Sequence, residues 1–220
     1  MLVNPWLSIN RDLKPYVAEV DRESVSQYML TKRSLKDEFR LNTSVVPEPW
    51  CGPVMDSSVL ILSGNPHWDK RDESLPLQAH EEMWENLSGE RPLFWLNPAL
   101  AETSGGKWYS ERLLKEVLKE CPAEKVARRL SLIDFVGYRS HRWDHQLRVP
   151  SQQFTIELVE QAIKSEKVIV LSRGRRLWEE LIPDLNGYGR LFHNNSPQNV
   201  RLSANNTSQR GFDAILSALI

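Results

Sequence analysis

Amide and imidazole side chains follow several short apolar runs of the sequence, and they are the groups best placed to do chemistry. Asn65 lies just after the first run, Asn97 after the second, and His193 at the end of the last. An amide offers a donor and an acceptor without a charge to desolvate, so it suits the hydrogen-bonding edge of a heterocycle. The sequence shows no GxSxG motif, no phosphate loop and no acidic cluster suited to magnesium. These residue types predict a site that reads a polar ring, with no metal and no cofactor.

The elements that must position these groups alternate between strands and helices. Short apolar runs bounded by Gly, Pro or Asn predict strands buried on both faces at Val59–Leu62, Leu93–Leu96, Leu130–Phe135, Val168–Leu171 and, more weakly, Arg190–His193. Helical periodicity occupies Glu111–Lys119, Phe154–Ile163, Arg175–Leu185 and Gln209–Ile220. The alternation predicts an α/β fold, a three-layer α/β/α sandwich around a four- to five-stranded, mainly parallel sheet. Ligands of such sheets bind at the carboxyl ends of the strands, where the amides and histidines fall.

The first fifty residues differ from the rest, because they are rich in proline and show a helical pattern only at Glu23–Arg33. We expect residues 1–53 to form an N-terminal arm that packs on a core domain of residues 54–220. The sequence shows no targeting segment and no apolar run long enough for a membrane span. Its two cysteines, Cys51 and Cys121, have no CxxC spacing and predict free thiols. These features predict a cytoplasmic protein without a membrane partner, and we expect a monomer.

The charge balance, 28 Lys and Arg against 29 Asp and Glu, hides an asymmetry along the chain. Residues 1–122 carry 14 basic and 19 acidic side chains, whereas residues 123–220 carry 14 and 10. The basic surplus lies in the half that contains two Arg-rich turns, Arg139–Arg148 and Arg173–Arg176. Overall neutrality therefore does not exclude nucleic acid as a partner, and it predicts a polarised surface whose DNA binding weakens with salt.

Two of the apolar runs end in a similar way: Val59–Pro66 (VLILSGNP) ends in Gly-Asn-Pro, and Phe94–Leu100 (FWLNPAL) contains Asn-Pro. Both segments resemble motifs of the uracil-DNA glycosylase superfamily. Val59–Pro66 (VLILSGNP) is similar to its first active-site motif, in which a buried strand ends in G-x-N-P-G or G-Q-D-P-Y-H. Phe94–Leu100 (FWLNPAL) is similar to its second strand, LLLN-x-x-L, whose Asn reads the flipped base. The resemblance implies that the chain has a uracil-DNA glycosylase-like fold.

Later segments follow in the family's order and extend the resemblance over roughly residues 54–220. Leu132–Arg139 (LIDFVGYR) resembles an intermediate segment of the family, and Val168–Trp178 (VIVLSRGRRLW) resembles its later strand-turn-helix. His193–Asn199 (HNNSPQN) resembles the H-P-S-P loop, and Gly211–Leu219 (GFDAILSAL) resembles the final helix. Departures occur at Ser63, which replaces a Gly, at His67, and at Asn194, where the family's His is expected. They point to a modified, bulkier pyrimidine as an option beside uracil.

The resemblance implies a DNA glycosylase that flips a base out of DNA and hydrolyses its N-glycosidic bond, in repair or antiviral defence. Asn65 would position the attacking water and His193 would donate to the departing base as the second catalytic residue. The base would contact Gly64, Pro66, His67, Trp68 and Asn97. DNA would contact Arg139, His141, Arg142, Arg173, Arg175, Arg176, Asn194, Asn195, Ser196, Pro197 and Gln198.

Two other functions remain open from the sequence. The departures from the family motifs are also compatible with a non-catalytic nucleic-acid or nucleotide-binding domain of the same fold. A third option is a small-molecule transferase or hydrolase on a generic α/β scaffold, because a fold alone does not determine function. The individual residues also have ordinary structural uses. Asn65 and Asn97 each precede a proline and can close a turn, and His193 can cap a strand end.

Overall fold

A central sheet of five strands organises the chain, which has an α/β fold. The computed structural model describes residues 3–196 and 198–220, except for the side chains of residues 71 and 73. The strand order is β1-β3-β2-β4-β5, with β1 antiparallel to β3 and the other neighbours parallel. The strands are β1 Trp50–Cys51, β2 Val59–Ser63, β3 Leu130–Asp134, β4 Val168–Leu171 and β5 Leu191–His193.

Helices connect the strands and cover the sheet. The α-helices are α1 Arg22–Met29, α2 Leu77–Asn86, α3 Ser104–Lys107, α4 Val117–Glu120, α5 Ala123–Arg129, α6 Gln152–Lys164, α7 Arg175–Leu181, α8 Ala204–Thr207 and α9 Gln209–Leu219. Helix α9 contacts β2, β4 and α5, while α6 contacts the 3₁₀ turn Pro183–Leu185 that follows α7. This arrangement is compatible with the predicted three-layer sandwich. None of the described helices has the length and apolar composition to cross a bilayer.

Four of the five predicted strands are confirmed, each within one residue of its expected ends. Every residue of β2, β3 and β4 is buried, and Ile61 lies opposite Leu132 on one side and Val170 on the other. A strand that is covered on both faces has no solvent-facing side, so polar residues do not alternate with apolar ones along it. This explains the uninterrupted apolar runs.

The predicted second strand, Leu93–Leu96, is wrong. The segment forms a 3₁₀ turn, Phe94–Leu96, and a second 3₁₀ turn, Pro98–Leu100, follows it. The side chain of Asn97 caps the second turn by accepting a backbone N–H two residues later at 3.0 Å. A short apolar run fits a buried turn as well as a strand, and periodicity cannot separate the two. The strand beside β2 on this side is β3 instead.

The predicted helix at Glu111–Lys119 is also divided. Residues Trp108–Leu113 form a π-helix, and α4 begins only at Val117. The apolar spacing still fulfils its role, because Leu113 and Leu114 are buried. Helix α2 was not predicted from the sequence.

The N-terminal arm contributes to the sheet and to the core. Its last residues include β1, in which Trp50 pairs with Ile133 of β3. Trp6 is buried against Tyr138, with ring centroids 5.3 Å apart. A strand of two residues is too short to leave a periodic signal in the sequence. Both cysteines are free and buried, as expected.

Candidate functional site

A cavity of about 180 Å³ opens at the carboxyl ends of β2 and β3. Open parallel sheets bind their ligands at this edge. The arm, the turn after β2, the segment around α3 and the ends of β3 and β4 all contribute walls. The lining residues are Glu48, Ser63, Asn65, Pro66, His67, Asp69, Asp72, Leu75, Trp95, Ser104, Gly105, Trp108, Tyr109, Leu132, Asp134, Arg139 and Arg173.

A buried ion pair forms one wall of the cavity. Arg139 Nη2 donates to Glu48 Oε2 at 2.5 Å, and both side chains are less than one-tenth exposed. Trp95 Nε1 donates to the other oxygen of Glu48 at 3.2 Å, and Arg139 Nη1 donates to the carbonyl of His67 at 3.1 Å. Burial raises the pKa of Glu48, and Arg139 opposes that rise. Because either partner alone would be an uncompensated buried charge, the pair ties the arm firmly to the core.

Asp134 ends β3 and brings a second buried carboxyl to the cavity. It lies opposite Ser63 in the parallel ladder. Its Oδ1 is buried and has no partner among the described residues. Burial, with the charge of Glu48, raises the pKa of Asp134 well above its usual range. A buried acceptor without a donor is uncommon in proteins, and the residue that carries this one lines the cavity.

Asn65 follows β2 and lies half-buried in the lining of the cavity. Its Nδ2 donates to Oγ of Ser140 at 2.9 Å and to the carbonyl oxygen of Pro66 at 3.1 Å. These bonds fix the plane of the amide, so the position of Oδ1 is fixed as well. No described residue donates to that oxygen, and it can accept a hydrogen bond from water.

His67 lies next to Asn65 in the lining and contacts a second histidine. Its Nδ1 is 3.1 Å from the carbonyl oxygen of His141, and the two rings are 5.1 Å apart. Burial and the neighbouring His141 lower the pKa of His67, which favours the neutral ring. A neutral ring that donates from Nδ1 keeps Nε2 as an acceptor.

Three residues predicted to contact a base lie outside the cavity lining. Gly64 lies against Trp143, and a Cβ on this glycine would be 2.3 Å from Cε3 of the indole, so packing explains the glycine. Trp68 uses its backbone N–H to bond the carbonyl of Ser140 at 3.1 Å. Asn97 caps its own 3₁₀ turn and does not line the cavity. Of the predicted base contacts, only Pro66 and His67 line the cavity.

His193, the predicted donor to the departing base, does not line the cavity either. It ends β5, and β4 lies between β5 and β2. Because neighbouring strands are about 4.8 Å apart, roughly 10 Å separates the axes of β2 and β5. Burial and the nearby Arg175 lower the pKa of His193, and its buried Nδ1 has no partner among the described residues.

The loop predicted to enter DNA comprises Asn194, Asn195, Ser196, Pro197 and Gln198. Hydrogen bonds within the protein hold its first part. Asn194 Nδ2 donates to Oγ of Ser172 at 3.1 Å, and the backbone N–H of Asn195 donates to the carbonyl of Asn206 at 2.7 Å. Pro197 lies outside the described residues. Ser196 and Gln198 bond each other at 3.0 Å and remain close to the surface.

The basic residues predicted to contact DNA divide into three groups. Arg139 is a correction, because it is buried in its ion pair with Glu48 and cannot reach a phosphate. Arg173 lines the cavity, and its guanidinium acts on the pKa of Asp134. The remaining four, His141, Arg142, Arg175 and Arg176, are exposed.

The exposed arginines already have carboxylate neighbours. Arg175 pairs with Glu179 at 2.8 Å and Arg176 with Glu180 at 2.7 Å, both within α7. Arg142 pairs with Glu38 of the arm at 3.1 Å. Exposed pairs of this kind contribute little to stability.

Sequence reasoning missed the carboxyl groups of the site. The strand-end residues are poor in carboxylates, yet Glu48, Asp69, Asp72 and Asp134 all line the cavity. Asp72 accepts a short hydrogen bond from Oγ of Ser104 and another from the backbone N–H of Asp69 at 2.9 Å. Of these four carboxyl groups, only that of Asp134 could have been found from the sequence, because Asp134 lies at the end of the apolar run that forms β3. Among the described residues, no group of three or more His, Cys, Asp or Glu is arranged to hold a metal ion.

Comparison of the chain with models of known protein families, with curated proteins and with solved structures finds no match. The function must therefore be inferred from the residues and the geometry of the site.

Proposed function

We propose that this protein is a monofunctional DNA glycosylase, a hydrolase that removes a flipped uracil or modified pyrimidine base from DNA. The observation that carries the proposal is the position of Asn65, with its amide fixed by Ser140, in the lining of a cavity of about 180 Å³. A cavity of about 150 Å³ holds a benzene ring, so this one accommodates a single six-membered heterocycle. Enzymes that act on a base take it out of the stack and enclose it in such a pocket.

Hydrolysis of the N-glycosidic bond requires a water molecule near the sugar and stabilisation of the departing base. Asn65 Oδ1 serves the first need, because it is a fixed acceptor that holds a water by hydrogen bonding. An amide is a poor general base, so its contribution is orientation rather than proton abstraction. The resemblance of Val59–Pro66 to the first glycosylase motif assigns the same role to Asn65.

A residue other than His193 stabilises the departing base in this proposal. His193 lies outside the cavity lining, whereas Arg173 is within it. A guanidinium donates strong hydrogen bonds to an anionic heterocycle and stays charged at all relevant pH values. We therefore assign to Arg173 the role that the sequence suggested for His193. Exposed Arg142, Arg175 and Arg176 would hold the phosphate backbone.

Incubation with single- and double-stranded oligonucleotides, each with one uracil or one modified pyrimidine, tests the proposal. Alkali cleaves DNA at abasic sites, and we expect such cleavage with at least one substrate. Asn65→Ala should lower the rate about 100-fold, because orientation of the water is lost. Asn97→Ala is the matched control and should retain the rate, since Asn97 lies outside the cavity lining. Absence of abasic sites from every substrate would refute the proposal.

One observation favours the second candidate, a non-catalytic nucleic-acid or nucleotide-binding domain. The glycosylase resemblance suggests that His193 assists the departing base. His193 lies outside the cavity lining, however, so it does not reach a base held there. Such a domain would bind DNA with strong salt dependence and release no base. The oligonucleotide assay, combined with a binding measurement at two salt concentrations, separates the two candidates.

A further inference from the structure

We propose that the cavity recognises the amino edge of a cytosine-type base, and that Asp134 is the residue that accepts the N–H donors of that edge. The base reaches the cavity by the flipping that the proposed function requires, and to that extent the inference rests on that function. Recognition itself can be measured on the free base, without any bond being broken.

The first observation is the unpartnered oxygen of Asp134. The residue is 4% exposed and lines the cavity. Its Oδ1 is buried and has no donor among the described residues. Buried carboxylate oxygens are normally hydrogen-bonded, because leaving one without a donor is costly. A ligand that brings an N–H group to this oxygen removes that cost.

The neighbouring cation does not supply the missing donor. Arg139 directs Nε to the carbonyl of Val46, Nη1 to that of His67 and Nη2 to Glu48. Among the described lining residues, four carry a carboxyl group and two carry a guanidinium group. This composition favours a ligand that offers N–H donors over one that offers carbonyl oxygens.

Pyrimidine bases differ at the position that would face Asp134. Cytosine presents the N4 amino group as a donor, whereas uracil and thymine present the O4 oxygen as an acceptor. A carboxylate accepts from N4–H₂, and in its protonated form it can also donate to N3 of the same ring. Uracil offers the carboxylate only its N3–H, and the O4 oxygen beside that donor repels the carboxylate, so the ionised form of Asp134 favours cytosine over uracil. Cytosine and its ring-substituted derivatives therefore fit in both states of the carboxyl group.

Calorimetric titration of the full chain with free cytosine and free uracil at pH 8 tests the inference. We expect cytosine to bind at least tenfold more tightly than uracil. Asp134→Asn replaces one acceptor by an amide donor, and it should reduce the preference for cytosine at least tenfold. Asp213→Asn, a matched change on the exposed part of α9, should leave the preference unchanged. The comparison in the unmodified chain decides the inference even where Asp134→Asn does not fold.

The possible outcomes separate this inference from the proposed function. Uracil binding equal to or tighter than cytosine binding overturns the inference, and so does the absence of binding by either base at millimolar concentration. Release of uracil but of no cytosine-type base from oligonucleotides overturns it as well, while supporting glycosylase activity. Preferential binding of cytosine with no release of any base supports the inference and overturns the proposed catalysis.

Discussion

The indole of Trp143 lies directly on the backbone of Gly64, the residue that joins β2 to Asn65. A Cβ built on Gly64 would be 2.3 Å from Cε3 of the indole. On the same six-membered ring, a Cβ at Gly174 would be 2.3 Å from Cη2, and this glycine has a φ of +69°. One aromatic side chain thus packs against the turns that follow both β2 and β4. These turns carry Asn65 and Arg173, so Trp143 holds the cavity-lining residues in place.

Gly64→Ala should destabilise the protein by about 1–3 kcal/mol, because the added methyl group overlaps the indole and overpacks the site. Urea unfolding followed by tryptophan fluorescence measures the change. Gly189→Ala is the matched control, since a Cβ there meets no atom within 4 Å. Equal stability of the two variants would show that Trp143 does not pack on Gly64 as described.

Ser140→Ala should lower the base-release rate about tenfold, because Ser140 orients the amide of Asn65 through a bond of 2.9 Å. Under the proposed function Ser140 acts by positioning Asn65, so the rate constant at saturating DNA should fall while DNA affinity is retained. Ser140→Thr keeps the hydroxyl and should restore most of the rate. Ser110→Ala removes a hydroxyl bonded to Gly106, outside the cavity lining, and provides the control. A fall in affinity without a fall in rate would argue against positioning.

Arg139→Met should cost about 3–5 kcal/mol of stability, since it leaves Glu48 buried without its partner. The double variant with Glu48→Gln should recover part of that loss, and urea unfolding of both variants measures it.

Arg176→Gln, by contrast, should leave stability unchanged within error and reduce the salt dependence of DNA binding by about one phosphate contact. A reduced salt dependence in Arg139→Met at full stability would place Arg139 on the DNA after all.

Asp134→Asn should stabilise the protein at high pH and have little effect near pH 4. The folded state raises the pKa of Asp134 above its ordinary value of 3.8, so above that pH the unfolded chain releases a proton that the folded chain retains. Stability therefore falls as the pH rises from about 4 through the pKa of the folded state. Removing the carboxyl should add roughly 1–3 kcal/mol at pH 8, the scale of an unsatisfied buried group. Urea unfolding at pH 4, 6 and 8 checks the trend, and a uniform effect at all three would contradict it.

The sequence predicted the parallel strands well because those strands are buried on both faces. Val59–Leu62 and Val168–Leu171 are uninterrupted apolar runs, and few other local structures require such runs. The same rule failed at Leu93–Leu96, where aromatic side chains enter the core from a turn capped by Asn97. The local composition indicates that a segment is buried, but it does not indicate whether the backbone of that segment pairs with a neighbouring strand.

The candidate site was predicted only in part, for a similar reason. Asn65, Pro66 and His67 follow a strand directly, so the strand-end rule located them. Glu48 comes from the N-terminal arm and reaches the cavity because β1 pairs with β3. Contacts between distant parts of the chain leave no periodic signal in a single sequence. The buried state of Arg139 is hidden in the same way, since its partner lies 91 positions earlier.

The pairing of β1 with β3 also sets the order in which a newly made chain can assemble its site. As the protein leaves the ribosome, Glu48 emerges long before Arg139, and β1 emerges long before the strand that receives it. An incomplete chain that ends before Leu130 therefore has neither the ion pair nor Asp134, and it cannot enclose a ring. The pocket closes only after most of the polypeptide has been synthesised, so a prematurely terminated product lacks a complete cavity.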